Sequence, residues 1–241
     1  MTDQLDASAQ YRDLADRFAD VGLELSAAPD MRNAFTLIAK LGLSMVDSAE
    51  HASITVLRND RFDTPTATSD VPPRVDAIQY ELGTGPCVDA VLDDTVYRTG
   101  DLARDTRWPE FGQRAVAATG VHSMLATRLY CEQPGLLAAL NLYASPRDAF
   151  GDDALPTAVL LATHASLALT AASRQEKIVN LEQAVASNRE IGVAIGVLMS
   201  RHLLTQQQAF DLMRMSSQRS HRKLRHIAAE VVETGDLELP R

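Results

Sequence analysis

Two cysteines, six histidines and a cluster of arginines are the side chains of this 241-residue sequence from which chemistry can be argued. Cys87 and Cys131 form no CxxC pair and have no His cluster of ligand spacing nearby, so neither a disulfide scaffold nor a zinc site is expected. Cys87 follows Pro86 at the start of a predicted short helix, where the helix dipole can acidify a thiol; a reduced, inert thiol is the simpler reading. No Walker loop, HExxH motif or Ser/His/Asp order occurs, and Gly83-Thr-Gly-Pro is too short to cradle a phosphate. The residues therefore point to a binding protein rather than an enzyme, with no metal and no cofactor expected.

The arginines carry the stronger signal. Net charge is −9, which by itself argues against nucleic acid, but it is unevenly spread. Residues 1–173 hold 13 basic and 24 acidic side chains, a balance of −11, whereas residues 174–241 hold 10 and 8, a balance of +2. Between 189 and 225, Arg189, Arg201, Arg214, Arg219, Arg222, Lys223 and Arg225 face only Glu190 and Asp211, a local +5. Cations so grouped can hold phosphates, although each one alone reads equally well as a solvated surface charge.

These side chains must be positioned by elements that the spacing of apolar residues makes legible. Residues 7–26, with Tyr11, Leu14, Ala15, Phe18, Val21, Gly22 and Leu25 in phase, and 30–46, with Ala34, Leu37, Ile38, Leu41 and Met45, predict two amphipathic helices. His51–Arg58 reads as a strand, residues 61–69 as its hairpin partner demoted toward an edge by Pro65, and 95–98 as a third strand. The segment from Glu81 is a turn-rich loop leading into a short helix at Pro86, and 109–119 is helical. Residues 121–131 and 136–144 alternate as two strands joined through Gln133-Pro134-Gly135. Strands interspersed with helices and closing on a hairpin predict an α+β domain with one antiparallel sheet.

Beyond Asp152 no strong turn signal occurs for over forty residues, so one long connector helix is expected. Its Leu167, Ala171, Ile178, Leu181, Val185, Ile195 and Met199 follow a coiled-coil seam, interrupted by Arg174, Asn188 and Gly192, from which a homodimer is expected. Thr205 followed by Gln208 is a capping-box pattern that starts a helix burying Ala209, Phe210, Leu212 and Met213. Ser220 is expected to cap a last helix whose Leu224, Ile227, Ala228 and Val231 form one stripe ending before Gly235, with Arg222, Arg225 and His226 on the opposite face. Ala194 and Gly196 are small residues on a helix, for which close packing is the expected compensation, and Leu198 and Met199 are expected in the core.

The stretch R-E-I-G-V-A-I-G-V-L-M-S-R from Arg189 to Arg201, continued through Ala209, Phe210, Leu212, Ser216, Ser217, Lys223, Leu224 and Ala228, resembles the ANTAR family of RNA-binding antitermination domains. That resemblance implies recognition of tandem RNA stem-loops, with Arg189, Arg214, Ser217, Arg219, Arg222, Lys223 and Arg225 as the candidate contacts. Upstream, Glu81-Leu-Gly-Thr-Gly-Pro-Cys-Val-Asp-Ala, Arg107-Trp-Pro-Glu-Phe, Gly120-Val-His-Ser-Met-Leu and Ala139-Leu-Asn-Leu-Tyr-Ala resemble a GAF domain of the actinobacterial kind fused to ANTAR. GAF resemblance implies a sensor with helices on both sides of its sheet and a cavity for a small-molecule ligand, or a face for a protein partner. The candidate lining residues are Cys87, Trp108, Phe111, His122, Ser123 and Asn141, although core packing is the stronger reading of Trp108 and Phe111 and an ordinary hydrogen-bonded histidine that of His122. The expected organisation is a GAF sensor at 7–172, a helical connector at 173–188 and a three-helix ANTAR module at 189–236.

Two other functions stay open on the sequence. Three small basic helices could enter a DNA major groove as a helix-turn-helix, although no glycine marks the turn between the last two. Cys87 and Cys131 could serve as nucleophile and resolving thiol of a GAF-type methionine sulfoxide reductase, a reading that leaves the C-terminal module without a purpose. The N-terminal MTDQLDASAQYRD has no basic-then-apolar run, and no stretch reaches the roughly 18 uninterrupted apolar residues of a membrane span, so a cytoplasmic protein is expected.

Overall fold

The computed structural model describes the backbone of residues 2–93 and 95–237, and their side chains apart from those of residues 2–11, 13 and 14. Helices α1 (Thr2–Ser26) and α2 (Met31–Met45) come first, and Asp30 caps the second by accepting from Asn33 N at 2.8 Å. Tyr11 and Leu14 of the first stripe lie outside the described side chains; Phe18, Val21 and Leu25 are buried, and Ala15 is exposed, contrary to its place in the expected stripe. The β-branched run His51–Arg58 forms β1, which turns through Asn59 and Asp60, both at positive φ, into β2 (Arg61–Ala67). A two-residue turn of that handedness matches the twist of a hairpin.

Between β2 and the loop at Gly83 lies a helix that the apolar periodicity does not reveal, α3 (Val71–Leu82), so Glu81 and Leu82 end a helix rather than open a loop. Its buried positions, Pro72, Val75, Asp76 and Gln79, have helical spacing but half of them are polar. The chain continues through α4 (Pro86–Asp93), β3 (Val96–Thr99), α5 (Pro109–Thr119), β4 (Ser123–Leu129) and β5 (Leu136–Ala144). The five strands pair antiparallel in the order β2-β1-β5-β4-β3, which places the Pro65 strand at an edge where its missing N–H costs nothing.

The sheet is covered on both faces. One core joins α1, α2 and the first part of α6 (Ala154–His202) to Ile54, Leu125, Leu140 and Leu142. The other joins α3, α4 and α5 to Met124, Ala126, Ala139 and Tyr143. By length and composition α6 holds a stretch able to cross a membrane, yet its Ala158, Leu161, Ala162, Ala165 and Leu169 are buried in the first core, as in a core helix.

The chain divides into two compact units, residues 1–175 and 176–241. The second consists of the end of α6, α7 (Gln206–Ser220) and α8 (Leu224–Thr234), packed around Ala194, Leu198, Ala209, Met213, Ile227, Ala228 and Val231. The capping box at Thr205 and Gln208 forms as expected. Ser220 does not cap the last helix: its hydroxyl donates to Ser216 O within α7, His221 takes a left-handed conformation (φ 53°), and α8 starts after Lys223. Arg222 therefore lies before α8 rather than on its outer face.

Three further expectations are corrected. A Cβ at Gly196 would meet no atom within 4 Å, so close packing within this chain does not account for that glycine. Met199 is exposed rather than in the core, because the inward face of α6 at this level is taken by Ala194 and Leu198. Phe210 and Leu212 are only partly buried, leaving the core face of α7 to Ala209, Met213 and Ser216.

Candidate functional site

Five of the seven candidate RNA contacts are gathered by the α7–α8 turn. Arg219 lies in the last turn of α7, Lys223 is the N-cap residue of α8, and Arg222 and Arg225 flank it, all four exposed. Ser217 shapes this turn instead of projecting from it, since its hydroxyl donates to Arg222 O at 2.6 Å and so ties the chain after His221 back onto α7. The guanidinium of Arg222 meets Glu230 Oε2 at 2.6 Å, which fixes the start of α8 to its own second turn. Arg225 Nε donates to His226 Nε2 at 3.3 Å.

The remaining two stand apart. Arg214 pairs with Asp211 one turn earlier at 3.1 Å, and Arg189 lies on α6, where it lines an open cleft with Leu181, Val185, Val193 and Val232. Arg201 and His202, also in the basic stretch, are both held by Asp236, at 3.4 and 3.0 Å. Arg189, Arg219, Lys223 and Arg225 make no ion pair among the described residues. An accessible positive surface therefore survives around the α7–α8 turn, and the partly exposed Phe210 adds an aromatic face on the same helix as Arg214 and Arg219. His221 in the left-handed region does the work for which no glycine is present, so the missing glycine no longer counts against a helix-turn-helix.

In the first unit the six candidate pocket residues do not converge. His122 Nδ1 sits 3.0 Å from Asp101, and Ser123 donates to Pro146 O at 2.7 Å and lies 3.0 Å from Gly100 O. The His122 bond holds the Asp101 carboxyl below its ordinary range. Trp108 is buried, donates from Nε1 to Asp89 Oδ2 at 2.6 Å and carries the Arg107 guanidinium 4.3 Å from its ring centre; Phe111 is core.

Cys87 packs with Trp108 and Phe111 in the second core, and it shares with Asn141 a buried polar network that sequence reasoning did not single out. Its centre is Asp76, fully buried, which accepts from Ser53 at 2.9 Å and Thr64 at 3.0 Å, from Tyr143, and from Gln79 Nε2 at 3.4 Å. The Cys87 thiol lies 4.0 Å from the same carboxyl, and its N–H donates to Gln79 Oε1 at 2.9 Å. Asn141 bridges Ser53 at 3.1 Å and Thr55 at 2.8 Å. Gly85 is required here because a Cβ would lie 2.4 Å from Gln79 Oε1.

All of these donors are neutral, so burial dominates and pushes the Asp76 carboxyl up to about 6. Burial, followed by the charge of Asp76, also drives the Cys87 thiol well above its usual range, the reverse of the acidification a helix start offers. The signal that could have found this network is the pair of polar residues two apart in each of two buried strands, Ser53 and Thr55 in β1, Asn141 and Tyr143 in β5, with Ser53 directly opposite Asn141.

Comparison with known proteins agrees with this two-part reading. Residues 179–232 match the family model described as the ANTAR domain. The first unit has the fold of the GAF domain of an Acinetobacter phosphoenolpyruvate-protein phosphotransferase, at 12% identity and a TM-score of 0.52, over 68% of this chain and 97% of that one. The corresponding GAF domain from Coxiella burnetii is similar at 15% identity and a TM-score of 0.51, over 68% and 96%. The LuxR-family transcription factor CepR2 of Burkholderia cenocepacia, described as dependent on N-acylhomoserine lactone, is similar at 17% identity and 0.51, over 66% and 96%. Comparison with curated proteins by sequence gives no match.

Proposed function

We propose that this chain is a signal-responsive regulator of transcription that binds tandem RNA stem-loops through its C-terminal module and so favours an antiterminator hairpin over a terminator. The observation that carries this reading is the ANTAR match over 179–232, within which the α7–α8 turn presents Arg219, Lys223 and Arg225 without ion pairs among the described residues. Such cations can hold the phosphates while loop bases are read by polar side chains and by the face of Phe210. The GAF unit acts as the sensor, taking a small molecule or a protein partner, and the protein works as a cytoplasmic homodimer without catalytic activity of its own. A thiol-based reductase is disfavoured by the burial of Cys87, whose protonated form is the stable one.

Cellular RNA captured with the whole protein and sequenced tests the function: paired hairpins with related loops upstream of terminators are expected. Lys223→Glu with Arg225→Glu should abolish the enrichment while leaving the helical circular dichroism unchanged, since neither side chain makes an ion pair among the described residues. Enrichment that survives both charge reversals removes this surface from the account. Filter binding against stem-loop RNA and duplex DNA, in parallel, decides the nucleic acid; preference for the duplex would overturn the assignment in favour of a helix-turn-helix.

A further inference from the structure

On α6, Ile178, Leu181 and Val185 are 48, 65 and 68% exposed, and Leu167 is 67% exposed. Ile178, Leu181 and Val185 are spaced by three and four, and Leu167 precedes them in the same heptad register; the fold of this chain leaves the apolar side chains of this stripe uncovered. Placed on heptads, Ala171, Ile178 and Val185 occupy a, and Leu167, Arg174, Leu181 and Asn188 occupy d. β-Branched residues at a with leucine at d favour two parallel strands. The same register sets Lys177 at g and Glu182 at the next e, the positions that meet between parallel, in-register helices, and their charges are opposite. Beside the stripe, Leu181, Val185, Val193 and Val232 line the apolar cleft of about 690 Å³.

Arg174 is the anomaly, since a cation at d would face its own copy across the axis. The β4–β5 turn meets it there: Glu132 accepts from Arg174 Nε at 2.8 Å and Nη2 at 2.7 Å. The same turn follows α6 through Tyr130 N to Ser166 Oγ at 2.9 Å, Cys131 Sγ to Leu169 O at 3.8 Å, and Ser173 Oγ to Glu132 O at 3.4 Å. A turn of the sensor sheet is thus hydrogen-bonded along the helix up to the one cationic position of the seam.

We infer that a second copy of this chain covers the stripe as a parallel, in-register two-stranded coiled coil, and that Glu132 controls its strength by neutralising Arg174 at the axis. The inference rests on the dimer proposed above and adds its orientation, its register and the residue that governs it. With the β4–β5 turn seated, each chain contributes a neutral pair. When the turn moves, two guanidinium groups face each other without counter-ions and the helices separate more readily. Rearrangement of the sheet is in this way converted into a change in the pairing of the helices that carry the RNA-binding modules.

Oxidative cross-linking of the full chain tests orientation and register. Ile178→Cys and Val185→Cys, as separate variants, should each give a disulfide-linked dimer, with the wild type and its Cys87 and Cys131 as the blank. Linking by only one of the two indicates an antiparallel pair, and linking by neither, in folded protein, removes the coiled coil; both results overturn the proposal. Sedimentation tests the clamp. Glu132→Gln should raise the dimer dissociation constant about tenfold, since two guanidinium groups then face each other at the axis without counter-ions. Arg174→Leu should lower it, and Glu132→Gln should then have no further effect. An unchanged constant in Glu132→Gln, or an effect that persists in the Arg174→Leu background, refutes the clamp. Stem-loop binding by the same samples separates the claims: a monomer that binds RNA overturns only the dimer, and a dimer that does not bind RNA overturns only the proposed function.

Discussion

A carboxyl that is fully buried among neutral donors makes the fold sensitive to acid in an unusual sense. Asp76 titrates near 3.8 when exposed and at about 6 in the folded chain. Below about pH 4 it is protonated in both states and contributes no penalty; between roughly 4 and 6 only the unfolded chain releases the proton, so stability falls as pH rises. Above 6 the full cost remains, on the order of 3 kcal/mol from a shift of this size. Asp105, Glu50 and Asp101, whose carboxyls are held low by their hydrogen bonds, act in the opposite direction, so the wild-type profile alone cannot isolate Asp76. The difference between wild type and Asp76→Asn does. Denaturant unfolding across pH 4 to 6 should show a wild type that loses stability relative to the variant as pH rises; parallel profiles would mean that the carboxyl is not the titrating group. The same buried carboxyl, which has neutral donors and no cation as partners, ties α3 to β1, β2 and β5.

At the scale of elements, the same residue explains what the sequence hides. Strands β1 and β5 and helix α5 fall on the expected residues because their apolar patterns match their burial. Helix α3 is invisible to that pattern because it turns Asp76 and Gln79 inward, so the helical period is present in burial but not in hydrophobicity. The C-terminal helices were legible from the capping box and the stripe on α8, but the turn between them was not. A serine is a good cap only when its hydroxyl is not already donating backward, and Ser220 donates to Ser216. The basic site was legible as charge; that Ser217 and Arg222 are held by the turn itself depended on contacts no spacing displays. The left-handed His221 supplies a test of the turn, because a side chain there costs roughly 1 kcal/mol that glycine does not. His221→Gly should keep or raise the melting temperature and His221→Val should lower it by several degrees. A valine variant as stable as wild type would show that α7 does not end where it is placed here.

For the whole molecule the charge asymmetry has a consequence that no single residue carries. The first 173 residues hold a balance of −11 and the remainder +2, so under the proposed function a phosphate backbone is repelled at long range by the acidic part of the chain and held at short range by the basic part. Cations that hold phosphates release counter-ions, and binding weakens as salt rises. Repulsion from the acidic unit is screened over roughly 10 Å at 0.1 M salt, so its removal strengthens binding over the same range. The two trends oppose each other in the full chain and only the first acts in the isolated segment 174–241, which has its own apolar core. Stem-loop affinity measured from about 50 to 200 mM salt should therefore fall less steeply for the full chain than for the segment, with the two converging at high salt. Equal slopes would mean that the acidic unit exerts no field on the bound RNA. Its charge would then serve solubility alone, and control of binding would have to pass through the pairing of the long helices.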